Sequence, residues 1–134
     1  MVLSPDQSLL LCADMRTKWV WSFQIHPDGS LAHGQAFYRL ETWDNDSQSG
    51  GDGLTVDTEA HLYVATRLGI QICDAPDRVV AILNNPQNLQ PSNCVFGGSE
   101  LNYLYTTNRE KVFRRRLRGK GLRSSQRIQP PPRL

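Results

Sequence analysis

Apolar and polar residues alternate with period two along most of this chain, and no segment shows the three-to-four-residue spacing of an amphipathic helix. In the clearest stretch, Trp19, Trp21, Phe23 and Ile25 fall on one face of an extended strand, with Val20, Ser22 and Gln24 on the other. Turn chemistry separates such stretches at Pro27-Asp28-Gly29, Asp52-Gly53, Asn84-Asn85-Pro86 and Gly97-Gly98. The pattern predicts an all-β fold.

Three segments share one sketch. The first runs Leu3-Ser4-Pro5-Asp6, Leu10-Leu11-Cys12-Ala13, Trp19-Val20-Trp21-Ser22-Phe23. The second runs Thr55-Val56-Asp57, Leu62-Tyr63-Val64-Ala65, Gly69-Ile70-Gln71-Ile72-Cys73. The third runs Val95-Phe96-Gly97-Gly98, Leu104-Tyr105-Thr106-Thr107, Lys111-Val112-Phe113-Arg114. Leu10, Leu62 and Leu104 mark one position at intervals of 52 and 42 residues, the period of four-stranded propeller blades. The expected architecture is a β-propeller of about three blades, half of a six-bladed ring, over residues 1–121. A Pro- and Arg-rich tail follows over residues 122–134, of a composition that favours an extended segment. A closed propeller takes about four to eight blades. Three leave unpaired edges and apolar flanks, so the chain is expected to form a homodimer, to dock on missing N-terminal blades, or to be marginally stable.

Composition refines this picture. The chain has 134 residues with 39% hydrophobic residues, enough for one domain with a core. No apolar stretch is long enough to span a membrane, and Asp6 and Asp14 flank the Leu9–Cys12 run, which reads as a strand rather than a leader. Three separated cysteines, Cys12, Cys73 and Cys94, read as reduced thiols, and the expected compartment is the cytoplasm. The net charge of +2 conceals a split: ten Lys or Arg against one acid from Arg109 onward, five against twelve before it.

The ordered segments Leu3-Ser4-Pro5-Asp6, Gly51-Asp52-Gly53-Leu54-Thr55-Val56-Asp57, Leu62-Tyr63-Val64-Ala65 and Asn93-Cys94-Val95-Phe96-Gly97-Gly98 resemble the C-terminal half of the gluconolactonase, senescence-marker-protein and luciferin-regenerating-enzyme family, some of whose bacterial members end in a similar proline-rich way. The resemblance implies a six-bladed propeller with a divalent metal in its central channel, calcium first, with zinc and magnesium as alternatives, and hydrolysis of sugar lactones. It places Asp52 as a metal ligand and as the base that activates the attacking water. It also implies that a glutamate and two asparagines complete the ligand set. Met1-Val2 stands where one asparagine is expected, and the other two ligands belong to the N-terminal blades. Ala60 stands where the family's Asp-x-x-Gly turn has glycine, a substitution that costs on the order of 1 kcal/mol if the position needs a positive φ.

Chemistry supports a carboxylate in that role, because a hard dication prefers oxygen ligands and polarises a bound carbonyl. Read without the resemblance, Asp52-Gly53 is an ordinary turn pair, and a lone carboxylate is a weak metal site. Asp44-Asn45-Asp46-Ser47-Gln48 lacks the glycine and terminal glutamate of a calcium loop and reads as an acidic surface loop. His26, His33 and His61 share no ligand spacing and read as solvent-facing turn residues. Arg114-Arg115-Arg116-Leu117-Arg118-Gly119-Lys120 reads as a basic, protective edge strand rather than a nucleic-acid surface, for which no aromatic platform is apparent. Two functions follow: a gluconolactonase-like half-propeller with an incomplete metal site that dimerisation would rebuild, or a non-catalytic interaction module.

Overall fold

The structure is a computed structural model that describes residues 1–123, and these build eleven strands and no helix. Blade 1 is a four-stranded antiparallel meander of β1 (Val2–Leu3), β2 (Leu9–Ala13), β3 (Trp19–Ile25) and β4 (Leu31–Arg39). Blade 2 repeats it with β5 (Leu54–Val56), β6 (Leu62–Thr66), β7 (Gly69–Cys73) and β8 (Val79–Leu83). Blade 3 has β9 (Asn93–Gly97), β10 (Tyr103–Asn108) and β11 (Lys111–Arg116), a three-stranded sheet among the described residues where the repeat predicts four. The short first strands lie innermost, with β5 between β1 and β9. The fold is an open run of propeller blades. Of the predicted tail, residues 124–134 lie outside the described residues.

Register explains the repeat. Leu10 sits opposite Leu3, Leu62 opposite Val56 and Leu104 opposite Phe96, so the three leucines hold equivalent places on the second strand of each blade. Leu62 and Leu104 face the blade before their own, and Leu10 lies on the corresponding face of blade 1. The next residue along, Leu11, Tyr63 or Tyr105, faces the blade after. Leu11, Val20, Tyr38 and Leu40 of blade 1 therefore pack on Leu54, Val56, Leu62 and Val64 of blade 2. Tyr63, Ala65 and Ile70 of blade 2 pack on Cys94, Phe96 and Leu104 of blade 3, with Tyr63 and Phe96 edge to face at 5.0 Å. Blade 2 is covered on both sides, and all five residues of β6 are buried. In β10 buried and half-buried residues alternate, and in β2 only Leu11 is fully buried.

Polar side chains lock the junctions. Gln71, fully buried, accepts from Glu41 N at 2.8 Å and donates to Glu41 O at 2.8 Å. Asn108, also buried, donates to Leu89 O at 2.8 Å and accepts from Gln87 Nε2 at 3.0 Å. Each satisfied amide ties a connecting loop to a sheet, where an unpaired one would cost about 1–3 kcal/mol.

The turn between the first two strands recurs in all three blades: Gln7 N donates to Ser4 O, Ala60 N to Asp57 O and Leu101 N to Gly98 O. Its last residue is left-handed each time, with φ of 58°, 65° and 51°, and no blade has glycine there. Ala60, which has no polar side chain to offset the conformation, is thus strained as the sequence suggests. Ala60→Gly should stabilise the protein by about 1 kcal/mol, read as a higher urea midpoint at unchanged slope; no gain would show that the turn tolerates alanine freely.

All three cysteines are free, Cys73 and Cys94 buried and Cys12 half-buried. Burial pushes the Cys73 and Cys94 thiols up from 9.0 to about 12, and burial pushes the Tyr38 hydroxyl up from 10.0 to about 12. Above pH 9 the unfolded thiols ionise while the folded ones stay neutral, so the unfolded chain binds fewer protons and stability falls as pH rises toward 12. Denaturation midpoints should therefore drop steadily above pH 9, and Cys94→Ala should flatten that slope; an unchanged slope would remove Cys94 from the account.

Candidate functional site

Strand β5 spans only three residues and places two aspartates at its opposite ends, Asp52 before it and Asp57 after it. Asp52 is held by backbone bonds rather than by its side chain. Its N–H donates to Ala65 O at 2.9 Å, Ala65 N returns a bond to Gly53 O at 2.9 Å, and Gly53 N donates to Ser92 O of the blade 3 approach at 2.9 Å. The carboxylate is left exposed, in a shallow open cleft shared with Gln90, Pro91, Ser92 and Arg109.

The glycines beside Asp52 do not act through a sharp left-handed turn. Neither Gly51 nor Gly53 has a positive φ; Gly50 does, at 65°. Gly53 is needed for space instead, because a Cβ there would collide with the Asn93 side chain and come within 2.6 Å of Asn93 Cα. The missing side chain lets blade 3 close against the segment carrying Asp52.

The cleft does not by itself suit a dication. Among the described residues no three His, Cys, Asp or Glu side chains converge. Asp52 shares the cleft with the neutral Gln90 and Ser92 and with a cation, Arg109. Gln90 Nε2 already donates to Gly50 O at 2.7 Å, and Ser92 Oγ pairs with Thr107 Oγ1 at 2.9 Å. Calcium takes six to eight oxygen ligands, so any metal at Asp52 needs donors beyond these.

The other end of β5 holds a cluster that the sequence reading missed. Asp57, 1% exposed, accepts from Tyr63 Oη at 3.0 Å, from His61 N at 2.9 Å and from Glu59 N at 2.9 Å. His61 Nδ1 lies 3.0 Å from Asp57 Oδ2, so His61 is not a free solvent-facing residue as expected but a half-buried partner of a buried carboxylate. Burial, with the adjacent Asp57 charge, pushes the Tyr63 hydroxyl well above its ordinary range. The chain after β11 covers the cluster: Asp57 bridges to Gly121, and Gly119 leaves no room for a Cβ beside Asp57 Oδ2 and Tyr63 Oη. The spacing Asp57-x-x-x-His61-x-Tyr63 was the available signal, and it marks a blade-joining anchor. His26 and His33 are exposed, as expected, but His33 lies within strand β4 rather than in a turn.

Of the basic run, Arg114, Arg115 and Arg116 lie in β11, an edge of its sheet among the described residues, while Leu117, Arg118 and Lys120 follow the strand; the Arg114 guanidinium lies 5.2 Å from the Tyr103 ring centroid. In the 44–48 loop, Asp46 pairs with Arg67 at 2.8 Å and Asp44 is exposed, consistent with an acidic surface loop. No helix among the described residues is long and apolar enough to cross a membrane.

Blades of this connectivity, with their short first strands side by side, define part of a β-propeller. The SMP-30/gluconolactonase/LRE-like region model matches residues 1–110, and the chain belongs to that family. Among solved structures it is similar to a luciferin-regenerating enzyme (22% identity, TM-score 0.76, covering 90% of this chain and 45% of that one). It is also similar to a calcium-binding protein, regucalcin, from Agrobacterium tumefaciens (19%, TM-score 0.73, covering 98% and 48%). A gluconolactonase from Xanthomonas campestris follows (21%, TM-score 0.67, covering 84% and 35%). These are propeller proteins, and the chain spans less than half the length of each. No curated protein matches it.

Gly53→Ala should cost about 1–3 kcal/mol through overpacking at Asn93, measured by urea unfolding. A loss below about 0.5 kcal/mol, the scale of an uninvolved surface change, would show that blade 3 does not approach this closely.

Proposed function

We propose that this chain carries one half of a metal-dependent sugar-lactone hydrolase, with Asp52 as its contribution to the metal and reaction site. The observation behind the reading is the position of Asp52: an exposed carboxylate at the start of an innermost strand, in a chain of the gluconolactonase-like family. The metal proposed is a divalent cation, calcium before zinc or magnesium, which when bound would polarise a lactone carbonyl. Its remaining ligands come from further blades, supplied by a second copy or by another polypeptide segment. In this reading Asp52 would accept a proton from an attacking water, and Arg109, which lines the same cleft, would attract the carboxylate product.

The test is a sensitive lactone-hydrolysis assay with and without calcium. The wild-type chain should turn over slowly, and Asp52→Ala should lower that rate by about 10²-fold, the usual scale for a lost base. A calcium-dependent rate that survives Asp52→Ala overturns the assignment. A second reading, a non-catalytic interaction module, is favoured by the apolar outer faces of blades 1 and 3. It predicts partner binding unaffected by Asp52→Ala and no lactone turnover.

A further inference from the structure

Among the described residues nothing packs on one face of each outer blade, and both faces are built like interior ones. On blade 1 that face holds Leu3 and Leu10, opposite each other, then Phe23, Cys12, Trp21 and Ala36 in register across β2, β3 and β4. Leu3 is 39% exposed and Trp21 37% exposed, although the equivalents of Leu3 and Leu10 in blades 2 and 3 (Val56 and Leu62, Phe96 and Leu104) are buried. A hollow on this face is lined by Cys12, Asp14, Met15, Trp21 and Phe23. On blade 3 the open face holds Tyr103 and Tyr105 with Val95, which is 58% exposed, and with Val112, Arg114 and Arg116 in register beside them.

Both faces are also preorganised. The Phe23 ring lies over Gly34, the Tyr105 ring over Gly97 and the Tyr103 ring over Gly98, where any Cβ would strike or crowd the ring. Rings held flat over glycine lose little freedom on contact, and Trp, Tyr and Arg dominate well-packed interfaces.

We infer that two copies of this chain close head to tail, the blade 3 face of each packing on the blade 1 face of the other. The internal junctions dictate the register. Leu11 faces Val56 and Leu62, and Tyr63 faces Phe96 and Leu104; by the same repeat, Tyr105 of one copy seats against Leu3 and Leu10 of the next. One charge pairing fits: Arg114 sits opposite Tyr105 and Arg116 opposite Tyr103, and Asp14 lies in the opposing hollow, while the cation Arg39 stands apart from it, opposite Trp19. A second copy is the fitting occupant because one copy spans 45% and 48% of two relatives' length, so two restore a full ring. A head-to-tail contact closes only if its rotations complete a circle, and otherwise grows into a filament. The inference rests on the reading that further blades complete the site, and it brings a second Asp52 to the same channel mouth.

The decisive readout is mass, which is independent of lactone turnover. Light scattering of the 134-residue chain should give about twice 15.2 kDa, and Trp21→Glu and Val95→Lys should each give 15.2 kDa with far-UV circular dichroism retained. Mixing the two variants should restore dimer, because the mixed ring keeps one unaltered interface. A wild-type monomer, a ladder of larger species, or a dimer that neither variant weakens overturns the inference, whether or not the variants fold. Variants that stay monomeric when mixed also overturn it, since that result belongs to like-to-like pairing. A dimer without lactone turnover leaves the pairing standing and removes the hydrolase reading alone.

Discussion

Each blade is a thin sheet with two faces, and period-two alternation gives every strand side chains for both. A single blade cannot bury both faces by itself, so packing between blade faces sets what every other part must do. At the junction of blades 2 and 3 this appears as Tyr63 edge-on to Phe96, with Leu104 beside them and Cys94 Sγ 3.6 Å from Tyr63 O. At the junction of blades 1 and 2 it appears as Leu11 and Val20 against Leu62 and Val64. Among the described residues only blade 2 has this contact twice, and only blade 2 has a second strand buried along its whole length.

The connections serve those junctions. The three equivalent turns ending at Gln7, Ala60 and Leu101 accept left-handed backbone so that the second strand returns along the first. Asp57 gathers Tyr63, His61 and two backbone N–H groups at one end of blade 2, and the segment around Gly119 and Gly121 seals it. At the other end, Gly53 lets Asn93 approach and so fixes where Asp52 emerges. Burial thus organises one end of β5 as an anchor and leaves the other end open for chemistry.

Much of the fold was legible because the repeat writes the same demand three times. Leu10, Leu62 and Leu104 align in sequence and hold equivalent positions in the sheets. The alternation of Trp19, Trp21 and Phe23 likewise put them together on one face, although the buried face of β3 is the one carrying Val20 and Ser22. The site was less legible, since its geometry depends on contacts between residues distant in sequence. Gly53 looked like a turn glycine because its neighbour is an aspartate, and only the approach of Asn93 shows its steric purpose. His61 looked free because the spacing Asp57-x-x-x-His61-x-Tyr63 signals a cluster only once the Asp57 carboxylate is known to be buried, which the fold decides. Arg109 is far from Asp52 in sequence and shares its cleft only after blade 3 has folded back. The fourth strand expected of blade 3 is not formed among the described residues, and β11 stands as an edge whose cations discourage indiscriminate pairing.

The central claim is that the outer faces of blades 1 and 3 are interior surfaces in the working protein. Strand-resolved hydrogen exchange on the intact chain tests it most directly, because protection reports which sheets are covered. The account predicts that β2, β3 and β10 exchange on the same slow timescale as β6 and β7. Slow exchange confined to β5–β8, with the outer blades opening far faster, would contradict it.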